Sequence, residues 1–135
     1  MANFDGSITF LYTRDLSASA DFYENKLGLE PVYVYGKARI YKINGGAHIG
    51  VFERDNMPEQ SFEYPGRNIV FTFLTDDVDG WYEKMVEMGV EIAGEPGADE
   101  EYGIYTFFVR DPSNYWIEFQ KFLNPGWKPG GKEMA

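Results

Sequence analysis

Two stretches of the chain, ITFLYTRDLSASADFYENKLGLEPV and VFTFLTDDVDGWYEKMVEMGVEI, carry the same order of hydrophobic and polar positions. Each opens on an alternating run of β type, passes an aspartate followed by Leu16 or Val78, and then takes up helical spacing. In the second copy Val78, Trp81, Tyr82 and Met85 fall at i, i+3, i+4 and i+7. In the first, Ala18, Phe22 and Leu29, flanked by Tyr23, follow that stripe less regularly. Ser17 and Asp77 are the expected N-caps, and Gly28 and Gly89 stand where a C-terminal glycine ends each helix.

Three strand-like runs follow each helix: PVYVYG, ARIYKI and HIGVFE in the first half, then VEIAG, IYTFFVR and YWIEFQ in the second. NGG at 44–46 and DPSN at 111–114 supply hairpin turns. Each half therefore reads βαβββ, and the expected fold class is α+β. Two modules, at about 6–54 and 67–122, form curved mixed sheets around a concave site, with helices outside. They make one domain spanning 1–135, with a polar, Pro- and Gly-punctuated linker at 55–66 and a loose tail at 123–135 in which Trp127 docks. A helix covers only one face of a four-stranded sheet, so function is sought on the other face.

Composition narrows the partners. There are 22 Asp+Glu against 12 Lys+Arg, a formal net charge of −10, which repels a phosphate backbone and makes nucleic acid an unsuitable partner. Cationic small molecules are electrostatically welcome. Cysteine is absent, so any metal needs His, Asp or Glu. No apolar run is long enough for a membrane span and MANFDGSITF has no signal-peptide pattern, so the expected location is the cytoplasm. The sequence has no Gly-rich phosphate cradle, GxSxG elbow or HExxH helix. In GEPGADEEYG, Asp99, Glu100 and Glu101 form either a solvated turn or an acidic lid hinged at Gly97 and Gly103.

The tandem βαβββ pattern, with Asp15, Leu16, Phe22, Tyr23, Leu27 and Gly28 early and Asp111, Pro112 and Glu118 late, resembles the vicinal-oxygen-chelate superfamily. That group spans glyoxalase I, extradiol dioxygenases, fosfomycin-modifying enzymes and bleomycin-resistance proteins. The resemblance runs from about Ile8 to Phe122. In metal-dependent members it implies a divalent metal held by first- and last-strand residues of the modules, and those positions fall here on Ile8, Gly50, Val70 and Glu118. Only Glu118 has a ligand-type side chain, whereas catalytic metal sites ordinarily use three protein ligands. The expectation is therefore no cofactor. A divalent metal on His48 and Glu118, completed by water or another carboxylate, is the alternative.

If Ile8 and Glu118 mark the concave face, a period of two adds Phe10, Tyr12, His48, Phe52, Thr72, Leu74, Trp116 and Gln120 as ligand-binding candidates. The opposite parity, Leu11, Ile49, Val51, Phe71, Phe73, Ile117 and Phe119, is uniformly apolar, as helix-covered faces are. The expected function is metal-independent binding of bleomycin-resistance type, sequestering an aromatic or cationic compound in a homodimer. Its counterpart is a lyase, isomerase or dioxygenase of the same superfamily in which Glu118 acts catalytically, as base or metal ligand. For each aromatic, sheet filling or a subunit interface is the bland counterpart, and for Glu118 it is a solvent-touching strand residue.

Overall fold

The computed structural model describes residues 3–54 and 69–123; the expected linker, the docking of Trp127 and all of the tail beyond Leu123 lie outside the described residues. Two compact units emerge, residues 3–54 with Pro112–Asn114 and residues 69–111 with 115–123. The first runs β1 (Ser7–Thr13), α1 (Leu16–Ala20), a π-helical continuation Asp21–Lys26, β2 (Glu30–Tyr35), β3 (Ala38–Asn44) and β4 (Ala47–Glu53). Its strand order is β1-β4-β3-β2, with β1 and β4 parallel and the other pairs antiparallel. The second runs β5 (Phe71–Leu74), α2 (Val78–Glu87), β6 (Ile92–Asp99), β7 (Ile104–Arg110) and β8 (Trp116–Phe122), in the order β5-β8-β7-β6. Each is a mixed βαβββ sheet, parallel only between its first and last strands.

The first helix starts differently from the sequence expectation. Asp15, in extended backbone, is the N-cap: its Oδ1 accepts from the Ala18 amide at 3.0 Å, and Glu53 Oε1 accepts from Leu16 N at 3.0 Å. Ser17 already lies inside the first turn, so it cannot cap it. The irregular stripe also has a cause. Leu27 N donates to Phe22 O, five residues back, at 2.9 Å, and this widened turn brings Phe22, Tyr23 and Leu27 to the core together. Gly28 and Gly89 end the helical stretches at φ 73° and 70°, the left-handed geometry that glycine adopts without a Cβ clash.

Leu11, Ile49 and Val51 bury the helix-covered face of the first sheet against Phe22, Tyr23 and Leu27. Tyr41 joins them, stacked on Tyr23 at 5.9 Å between ring centres and donating its hydroxyl to Glu24 Oε2 at 2.8 Å. Burial, followed by that bond to a carboxylate, raises the Tyr41 pKa above the usual tyrosine value. A pKa higher in the folded than in the unfolded chain stabilises below the unfolded value and is lost as pH rises through the folded one. Stability is therefore expected to fall with alkalinity from about pH 10 upward. The decline should be shallower in Tyr41→Phe, as read by denaturant midpoints across that range.

In the second unit Val78 and Met85 of α2 sit over Phe107, Val109, Ile117 and Phe119, all buried. Trp81 stacks on Phe119 at 5.3 Å. Strand β6 extends through the segment read from sequence as a loop: after a bulge between Ala93 and Gly97 that accommodates Pro96, pairing resumes at Gly97, Ala98 and Asp99. Gly97 is thus paired with Thr106 and is no hinge. Only a tight turn remains, closed by Gly103 N donating to Asp99 O at 2.8 Å, which removes the acidic lid.

Candidate functional site

The helix-free faces carry the residues that parity assigned to them. In the first unit Ile8, Phe10 and Tyr12 of β1 stay 45%, 45% and 36% exposed, while the intervening Leu11 is buried. The parallel register sets Ile8 beside His48, Phe10 beside Gly50 and Tyr12 beside Phe52. A groove of about 420 Å³ is lined by Phe10, Tyr12, Phe52 and Arg54, with the Arg54 guanidinium 5.2 Å from the Tyr12 ring centre. A second hollow of about 580 Å³ is bordered by Ile8, Tyr33, Ile40 and His48, among others.

Gly50 explains part of this shape. A Cβ there would come within 2.6 Å of two Phe10 ring carbons, so the ring occupies the space that any larger residue at 50 would claim. Gly50→Ala is expected to swing the ring outward and change stability by less than about 1 kcal/mol, because Phe10 has solvent to turn into. A proton NMR spectrum with shifted Phe10 ring resonances and a nearly unchanged urea midpoint would bear this out.

His48 Nδ1 lies 3.2 Å from the carbonyl oxygens of both Ser7 and Gly46. Two acceptors around one ring nitrogen require the proton there, which leaves Nε2 as the acceptor while the ring is neutral.

In the second unit Glu118 is 8% exposed at the centre of the helix-free face. The parallel partner of Glu118 on β5 is Thr72, whose hydroxyl donates to Oε1 at 2.8 Å. From β7 on the other side, Thr106 donates to Oε2 at 2.6 Å. Gln120, with its amide nitrogen turned to the carboxylate, lies 2.9 Å from Oε2 and 3.3 Å from Oε1. Leu74, opposite Gln120, is half-buried, and Val70 is exposed. Trp116 is covered by the Arg110 guanidinium 3.7 Å from its ring centre and meets the edge of Phe108 at 6.2 Å; Arg110 also pairs with Glu91 at 3.4 Å.

Sequence reasoning named Thr72 and Gln120 but missed Thr106, Arg54 and Arg110. Thr106 had a signal: it is the one polar residue inside the run IYTFFV. The two arginines carried none, since each sits at a strand end where charge is ordinary.

The divalent metal that the resemblance implies is testable on these donors. Ile8 and Val70 are hydrocarbon and Gly50 has no side chain, so Glu118 is the one ligand-type side chain of the four. Among the described residues no group of three or more His, Asp or Glu converges. This donor set does not fit a divalent metal.

Residues 7–119 match the model of the Glyoxalase/Bleomycin resistance protein/Dioxygenase superfamily, and the chain belongs to that family. It is 30% identical over 105 residues to the metallothiol transferase FosB of Lysinibacillus sphaericus, covering 78% of this chain and 73% of that one. Over 121 residues it is 30% identical to the uncharacterized protein YwbC of Bacillus subtilis, covering 82% and 92%. A solved glyoxalase/bleomycin resistance protein/dioxygenase from Alicyclobacillus acidocaldarius superposes with a TM-score of 0.70 at 24% identity, covering 92% of this chain and 96% of that one. The last comparison establishes the α+β fold. Among the described residues no helix is long and apolar enough to cross a membrane.

Proposed function

We propose that this protein is a metal-independent small-molecule binder of bleomycin-resistance-like type, which sequesters an aromatic or cationic compound on its helix-free faces. The observation that carries the reading is the exposure of Phe10, Tyr12 and Phe52 around one groove. Rings left in water at a concave surface gain by stacking on a planar ligand, by about 0.5–1.5 kcal/mol per pair beyond the area they bury. Homodimerisation in the cytoplasm accompanies this reading. Edge strand β2, exposed along its whole length and carrying Val32, Tyr33, Val34 and Tyr35, offers a surface for a second copy.

The similarity to a metallothiol transferase favours a second reading, an enzyme of the same superfamily with Glu118 as base or metal ligand. The apolar Ile8 and Val70 and the absent side chain at Gly50 weigh against its metal-dependent form.

A thermal-shift screen of planar aromatic compounds, run with and without a chelator, tests the proposal. At least one stabilising compound whose effect survives chelation and shrinks in Phe10→Ala is the expected result. Stabilisation that appears only with added metal would refute it.

A further inference from the structure

The hydrogen bonds around Glu118 fix the direction of two protons. An ionised carboxylate offers only lone pairs, so Thr72 and Thr106 must each spend their single hydroxyl proton on it. What those hydroxyls retain is acceptor capacity. Both are half-buried on the helix-free face, one on each side of the carboxylate. Gln120 adds an amide nitrogen to the same carboxylate, so the anion is held in place by three side chains of its own sheet. Beside them, Arg110 is stacked on Trp116 and paired with Glu91, which offsets its charge.

We infer that Thr72, Thr106 and Glu118 form a seat for a protonated nitrogen group, an ammonium or amidinium, which brings N–H donors to the threonine oxygens above a fixed negative charge. This deepens the binding function proposed above and rests on it. An anionic group would meet oxygen lone pairs and a carboxylate. A neutral amide would find hydrogen-bond acceptors but gain nothing from the charge. The formal net charge of −10 works in the same direction by drawing cations to the surface.

Three probes of one shape separate the alternatives: benzamidine as cation, benzamide as its neutral counterpart and benzoate as anion, each titrated into the protein by NMR. Benzamidine is expected to move the Thr72 and Thr106 resonances and to bind at least about tenfold more tightly than benzoate. In Glu118→Gln, which keeps the shape and removes the charge, that preference should disappear. Equal or tighter binding of benzoate to the wild-type protein overturns the seat, and this arm decides the matter even if the variant does not fold. A preference that persists unchanged in folded Glu118→Gln overturns it as well. Equal binding of all three probes, weakened by Phe10→Ala, removes the cation seat but leaves the aromatic binding function standing. No binding by any of them counts against both.

Discussion

Phe119→Ala is expected to lower the stability of the second unit by about 3–5 kcal/mol, the range for removing a fully buried aromatic ring. The ring is 2% exposed and stacks on Phe107 at 4.9 Å, on Trp81 at 5.3 Å and on Phe73 at 5.9 Å. Its loss opens a hole between the sheet and α2 that rigid neighbouring rings cannot collapse into. Against a total of about 5–15 kcal/mol for a typical domain, this is a large fraction. Urea unfolding followed by tryptophan fluorescence measures it, since Trp81 lies on the deleted ring. A cost below about 1 kcal/mol would mean that the stack does not hold this core together.

Glu118 provides the second large effect, and here the sign depends on what changes with it. Glu118→Leu alone is expected to cost about 3 kcal/mol, because two half-buried threonine hydroxyls and the Gln120 amide lose their buried acceptor. Combining it with Thr72→Val and Thr106→Val should recover most of that loss, since an apolar cluster of similar shape leaves far fewer groups unsatisfied. Denaturant midpoints of the single and triple variants test the coupling. If the triple variant is less stable than the single one, the polar cluster is not a closed hydrogen-bonded unit.

Much of this architecture was legible in the chain. The repeated order of alternating run, aspartate and helical stripe is enforced by one physical need in each half: a helix must cover one face of its sheet. Parity then separated Leu11, Ile49, Val51, Ile117 and Phe119, now found buried, from Ile8, Phe10, Tyr12 and Phe52, now found exposed. The errors have local causes. Asp15 displaced Ser17 as cap because cap choice depends on where the backbone turns extended, which composition alone does not fix. The π turn at Phe22–Leu27 obeys no 3.6-residue period, and the bulge near Pro96 let a strand continue through residues that read as a loop. The Glu118 cluster was half visible. Thr72 and Gln120 followed from period two, whereas Thr106 required the β7–β8 register, which sequence separation does not specify.

The most direct test of a metal-free binding face is the metal content of the purified protein after exposure to zinc, nickel, manganese and iron(II), each followed by desalting. With Ile8, Gly50 and Val70 at three of the four ligand positions that the resemblance implies, no metal should be retained stoichiometrically. One tightly held equivalent per chain, lost in Glu118→Gln, would contradict that account and move the metal-dependent enzyme to the front.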